Sequence, residues 1–75
     1  MSTLPSVTPA NLIKIVKKFG FIEQRQKGNH LHLKRIDDNK RITIPIHKGR
    51  DIPKGTLTAI LKDAGIPIEE FIKSI

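Results

Sequence analysis

Length, composition and charge already exclude several classes of protein. A chain of 75 residues has enough apolar residues for one small core, which predicts a single domain over residues 1–75. The absence of cysteine excludes disulfide frameworks, thiolate zinc sites and thiol nucleophiles, while a net charge of +7 indicates a polyanionic partner.

The N-terminal part of the chain predicts a tail followed by a helix. Residues 1–7 are mostly small, polar or proline and are assigned to the tail. Thr8 is suited to the N-cap of a helix, and Pro9 to its first position. Apolar side chains then recur at helical spacing, at Leu12, Ile13, Val16 and Phe19. Gly20 can end the helix in the left-handed conformation, so we predict a helix over about residues 9–19.

From Phe21 onward the periodicity changes to the alternation of strands. Residues 21–26, 30–34 and 41–46 predict three strands, with a tight reversal at Lys27-Gly28 and a polar turn at 37–40. In the second and third strands, alternate residues point to opposite faces of the sheet. The apolar face would carry Leu31, Leu33, Ile42, Ile44 and Ile46. The other face would carry His30, His32, Lys34, Arg41, Thr43 and Pro45. The sequence therefore predicts an antiparallel meander with one apolar and one basic face.

A second helix is predicted after the sheet. A basic loop covers residues 47–54, and the helix spans about residues 56–64 and ends at Gly65. Pro67 then begins a short terminal turn, in which Phe71 is expected to point inward. The expected fold is α+β, a three-stranded antiparallel sheet with two helices on one face. Its α-β-β-β-α order is that of the double-stranded RNA-binding fold, which is an analogy of fold and not yet a function.

Cationic side chains are concentrated between Gln24 and Arg50. This window holds eight Lys or Arg against two Asp, and it contains all three histidines. One interpretation is a face that only keeps the protein soluble, and the other is a surface that binds nucleic acid. The chain has no Tyr or Trp, and its three Phe are expected to pack inside, which disfavours base stacking. Recognition of an RNA backbone fits the composition better.

His30 is the histidine best placed for proton transfer. It follows the Lys27-Gly28 reversal on the polar face, and an imidazole can accept a proton from a ribose 2′-hydroxyl near neutral pH. A surface histidine without catalytic function is the alternative. His32 and His47 add the possibility of a metal site, but their cationic surroundings disfavour it, so we expect neither a metal nor a cofactor. His47 can also contact RNA phosphate or cap its loop.

An ordered set of short motifs resembles the HicA toxins of prokaryotic toxin–antitoxin systems. The matching segments are Gly20-Phe21, Arg25–His30, Ile44–His47, Lys54–Leu57, Ile60–Gly65 and Glu70-Phe71. The resemblance runs from about Thr8 to Ile72. It implies a double-stranded RNA-binding-like fold, cleavage of mRNA with arrest of translation, and neutralisation by a HicB-like antitoxin. No apolar run approaches the roughly 18–20 residues that span a bilayer, and the N-terminus lacks a signal-peptide pattern, so we expect a cytoplasmic protein that does not associate with membranes. We expect the free toxin to be a monomer.

The resemblance also implies roles for particular residues. His30 takes the place of the family's catalytic histidine, Gly28 that of the motif glycine, and Asn29 stands where Ser or Thr is common. The predicted RNA-binding residues are Arg25, Lys27, Gly28, Asn29, Lys34, Arg41 and His47. Two alternatives stay open: a double-stranded-RNA-binding module without chemistry, and a protein whose basic face mainly docks an acidic antitoxin.

Overall fold

Three helices and one sheet make up the described part of the chain. The structure is a computed structural model that describes residues 4–75. The elements follow in the order α1 (Pro9–Lys18), β1 (Ile22–Lys27), β2 (His30–Arg35), β3 (Lys40–Pro45), α2 (Lys54–Ala64) and α3 (Ile68–Lys73). The strands are antiparallel in the spatial order β1-β2-β3, which confirms the predicted α+β fold. In residues 4–75 no helix has the length and apolar character needed to cross a membrane.

The predicted start of the first helix is confirmed in detail. Thr8 is extended, and its Oγ1 accepts a hydrogen bond from the Asn11 N–H at 3.2 Å, which satisfies one of the free amides of the first turn. Pro9 occupies the first turn, where its missing N–H has no cost. The helix ends one residue earlier than predicted, and Gly20 has a φ of +94° that glycine tolerates best.

The apolar face of the sheet forms one side of the core. Leu31 and Leu33 of β2 and Ile42 and Ile44 of β3 are buried as predicted, and they pack against the helices. Ile46 follows the end of β3 and is only partly buried. All six residues of β1 are exposed, so this outer strand is joined to the sheet mainly by its hydrogen bonds to β2.

The reversal between β1 and β2 differs from the prediction by one residue. Lys27 belongs to β1, and the connecting residues are Gly28 and Asn29. Gly28 has a φ of +58°, a positive value that glycine adopts readily at the first position of a two-residue hairpin loop. Lys27 is consequently paired directly with His30 across the hairpin.

The predicted tail over residues 1–7 is wrong for its second half. Residues 1–3 lie outside the described residues, but Leu4 and Val7 are buried in the core. The Val7 carbonyl also accepts a hydrogen bond from the Ile52 N–H at 2.8 Å. Ile52, in the loop predicted as basic, is itself only 3% exposed. Apolar burial therefore joins the N-terminal segment to the loop after β3.

The second helix begins earlier than predicted. It starts at Lys54 with Pro53 at the N-cap, and the Leu57 N–H donates to the Pro53 carbonyl at 2.8 Å. This hydrogen bond closes the first turn, so Gly55 lies inside the helix and not in the loop before it. The predicted end is confirmed by Gly65, which has a φ of +69°. After Pro67 the structure has a third helix, α3, where only a terminal turn was predicted, and the expected inward position of Phe71 is confirmed by its complete burial.

Candidate nucleic-acid interface

The face of the sheet that points away from the core carries three rows of side chains. We call it the outward face. Cross-strand pairing defines a first row of Lys27, His30 and Pro45, a second of Arg25, His32 and Thr43, and a third of Ile22, Lys34 and Arg41. Paired residues of neighbouring strands lie on the same side of a sheet. The basic face predicted from alternation is therefore confirmed, with His32 at its centre.

A β-bulge in β1 decides which cations reach the outward face. The register shifts between Glu23 and Arg25, so that Gln24 is one residue in excess of β2. Strict alternation from Ile22 would turn Arg25 and Lys27 toward the core side. With the bulge, Arg25 is paired with His32 and Lys27 with His30. One extra residue thus brings two cations beside the two histidines.

His30 lies at the end of the outward face that is next to the Gly28-Asn29 reversal. It is exposed, it begins β2, and its row places Lys27 on one side and Pro45 on the other. The preceding carbonyl, that of Asn29, accepts a hydrogen bond from the Ile46 N–H at 2.6 Å. The backbone that carries the imidazole is therefore fixed from both neighbouring strands. The ring itself is accessible to a large substrate, with an ammonium group in the same row.

His32 has a different environment from His30. It is half-buried, and its Nδ1 lies 3.0 Å from Oγ1 of Thr43, its partner on β3. This hydrogen bond orients the ring and leaves Nε2 as the nitrogen available to another group. The sequence singles out His32 only as a metal-ligand candidate, and its pairing with Thr43 becomes visible only in the register of the sheet.

Three of the predicted RNA-binding residues meet in one groove. It has a volume of about 670 Å³, and residues of all three strands and of α2 line it. Arg25, Lys34 and Arg41 contribute three cationic groups to the lining, against the single carboxylate of Asp63. The groove also contains His32. It therefore presents an excess of positive charge beside an imidazole, an arrangement suited to a phosphate-bearing ligand.

Two other predicted residues lie in a second, smaller groove. Asn29 and His47 line it together with Lys48 and Arg50, and its volume is about 450 Å³. His30 lies in neither groove. Its row lies between the second and third rows, which contribute to the first groove, and the turn at Asn29, which contributes to the second groove. Lys27 and Gly28 are at the same end of the sheet as His30.

Arg35 is one of the eight cations between Gln24 and Arg50, but it does not lie on the outward face. It lies on the core side of β2, and its guanidinium donates to the Phe19 and Ala64 carbonyls at 3.0 Å each. It also makes two hydrogen bonds to Asp38 and stands 4.8 Å from the centre of the Phe21 ring. Arg35 thus joins the ends of α1 and α2 to the sheet and is unavailable to RNA.

The pair with Arg35 predicts a pH-dependent stability. Hydrogen bonding to Arg35 lowers the pKa of Asp38 from 3.8 to about 2. A carboxyl whose pKa is lower in the folded state stabilises it above its unfolded pKa, and this contribution is lost as the pH falls toward the folded value. We expect Asp38→Asn to lower the urea midpoint at pH 7, and the deficit to shrink between about pH 4 and pH 2.

The control for this prediction is Asp37→Asn, because none of the hydrogen bonds of Arg35 goes to Asp37. It removes one carboxylate from the same turn and is expected to change the midpoint less at pH 7. A deficit of Asp38→Asn that stays constant from pH 7 to pH 2 would contradict the linkage.

The histidines do not form a recognisable metal centre in the part of the chain that the structure describes. No group of three or more His, Cys, Asp or Glu side chains in residues 4–75 is arranged to hold a metal ion. The His-x-His pattern of His30 and His32 thus lacks a third ligand among these residues. His30 and His32 instead lie together on the cationic outward face.

Comparison with known proteins gives a family for this fold and surface. A family model described as HicA toxin of bacterial toxin-antitoxin matches residues 10–66, which include all of β1, β2, β3 and α2. No curated protein matches the chain. The matched region is more than half of the 75 residues. The chain therefore belongs to the HicA toxin family of bacterial toxin–antitoxin systems.

Proposed function

We propose that this toxin is an endoribonuclease that cleaves mRNA in the cytoplasm and thereby inhibits translation, with His30 as its catalytic histidine. The observation that supports it is an exposed imidazole beside Lys27, next to a groove that holds Arg25, Lys34 and Arg41. His30 would take the proton of a ribose 2′-hydroxyl. The oxygen then bonds to the adjacent phosphorus, the bond to the 5′-oxygen breaks, and a 2′,3′-cyclic phosphate remains.

The cations would serve both binding and catalysis. Lys27, in the row of His30, is placed to stabilise the negative charge that the phosphorane gains. The groove with Arg25, Lys34 and Arg41 would hold the RNA backbone on one side of His30. Asn29 and His47 would contact it on the other side. Gly28 has no atom within 4 Å of where a Cβ would stand, so its role is to allow the turn.

The same surface suggests how the toxin is neutralised. Members of a toxin–antitoxin family act with an antitoxin, and we propose a HicB-like protein as the partner. Its contact region would be acidic, because the outward face carries Arg25, Lys27, Lys34 and Arg41. An antitoxin seated there would cover His30 and both grooves together. We also propose that the free toxin acts as a monomer.

Incubation of the purified toxin with end-labelled RNA tests the proposal. We expect cleavage with and without EDTA, and products that end in a 2′,3′-cyclic phosphate and a 5′-hydroxyl. Binding that weakens with salt but gives no cleavage would contradict the proposal and support a non-catalytic double-stranded-RNA-binding module. Loss of cleavage in EDTA would contradict a metal-independent reaction.

A further inference from the structure

We propose that His32 is a second catalytic residue, the general acid that protonates the 5′-oxygen as it leaves. This inference rests on the proposed ribonuclease function. His30 and His32 are successive residues on the outward face of β2, so their backbones are about 6.5 Å apart along the strand. Both project from the same side of the sheet, and His32 lines the groove with Arg25, Lys34 and Arg41.

The chemistry needs a second group besides His30. In an in-line displacement the attacking and leaving oxygens lie on opposite sides of the phosphorus. One imidazole that removes the proton from the 2′-hydroxyl therefore cannot deliver a proton to the 5′-oxygen in the same step. A second imidazole that is protonated at the start can supply this proton. One proton passes from O2′ to His30 as the O2′–P bond forms, and another passes from the second imidazole to O5′ as the P–O5′ bond breaks.

The contact with Thr43 suits His32 to this role. A protonated imidazole carries an N–H on both ring nitrogens. With Nδ1–H donated to Oγ1 of Thr43, at 3.0 Å, the ring is oriented and Nε2–H is free to donate to the leaving oxygen. Thr43 would then be a positioning residue.

His47 is the other histidine that could donate this proton. It follows the end of β3 and lines the second groove, away from the second row of the outward face. His32 is favoured over it by the shared strand with His30 and by the hydrogen bond that orients its ring.

A substrate with a sulfur leaving group tests the inference. After the toxin's cleavage position in a short RNA has been mapped, the same RNA is made with sulfur in place of that 5′-oxygen. A thiolate leaves without protonation because thiols are far more acidic than alcohols. Under single-turnover conditions, we expect His32→Ala to cleave ordinary RNA roughly 10²-fold more slowly than the unmodified toxin. On the sulfur substrate its rate should approach that of the unmodified toxin.

The matched variants separate this role from others. His30→Ala should remain slow on both substrates, because it lacks the base. Thr43→Val should be slowed less than His32→Ala and only on ordinary RNA, whereas Thr43→Ser should retain activity. His32→Asn, a second variant that preserves a polar partner for Thr43, should behave like His32→Ala, with thermal unfolding measured for each protein to verify folding.

Three results would overturn the inference: normal cleavage of ordinary RNA by His32→Ala, an equal defect of that variant on both substrates, or rescue by sulfur in His47→Ala instead. The proposed function fails separately, if the unmodified toxin cleaves neither substrate. When the unmodified toxin is active and His32→Ala is equally active, only the role of His32 is lost.

Discussion

Replacement of His30 with alanine is expected to slow RNA cleavage by roughly 10²–10⁴-fold and to abolish growth arrest when the toxin is expressed. The reason is that no other side chain of the first row can take the 2′-hydroxyl proton, since Lys27 is cationic and Pro45 carries no titratable group. Cleavage rates on labelled RNA and growth after induction measure the two effects.

Folding and RNA binding should largely survive this change. His30 is exposed, so truncation of its side chain is expected to change the free energy of unfolding by no more than about 0.5 kcal/mol. Arg25, Lys34 and Arg41 still line their groove in the variant. The surface control is Lys14→Ala, an exposed residue of α1 outside the outward face. A His30→Ala protein that cleaves RNA at the normal rate would refute the assignment.

Among substitutions of the charged residues, the largest effect on stability is expected from Arg35→Met. This variant keeps most of the apolar stem but removes the donors to the Phe19 and Ala64 carbonyls and to Asp38. Hydrogen bonds from a charged group to partly buried acceptors contribute about 1.5–3 kcal/mol each, and solvent can replace part of that loss. We expect a loss of about 2–4 kcal/mol in the free energy of unfolding, seen as a decrease of roughly 10–20 °C in Tm.

Arg41→Met provides the matched control for this change. Arg41 lies on the outward face of the neighbouring strand and is exposed, so its replacement should change Tm by only a few degrees. It should instead reduce the salt dependence of RNA binding by about one phosphate contact. Equal Tm values for Arg35→Met and the unmodified toxin would show that the helix ends do not depend on the guanidinium.

The elements with strong local signals could be predicted from the sequence. Thr8-Pro9 marks the start of α1, and the alternation of Leu31 and Leu33 assigns the faces of β2, because capping and side-chain periodicity are local properties. The burial of Leu4 and Val7 could not be predicted in this way. It depends on contacts with a loop some 45 residues away in sequence, as the hydrogen bond from Ile52 to Val7 shows.

The site was predictable in its composition but not in its arrangement. The concentration of cations and histidines between Gln24 and Arg50 identifies the surface. The bulge at Gln24 was hidden, because every residue of β1 is exposed and no apolar alternation reveals a change of register there. The bulge is also the reason that the face of Arg25 could not be predicted, whereas Arg35 follows the regular alternation of Leu31 and Leu33 to the core side. The contacts of Arg35 with the Phe19 and Ala64 carbonyls could not be predicted, because these residues are distant from it in sequence.

We expect the exposed strand β1 to open at a lower free energy than the rest of this small protein. Arg25 and Lys27 are carried by a strand that buries none of its side chains, and its Lys17–Glu23 ion pair to α1 is half-exposed and therefore weak. His30 and His32, by contrast, are on the central strand, whose Leu31 and Leu33 are fixed in the core. We therefore expect β1 to detach by local unfolding while the rest of the protein stays native. Arg25 and Lys27 would then leave the surface while the histidines, Lys34 and Arg41 stay in place, so heat would reduce RNA affinity before it unfolds the core.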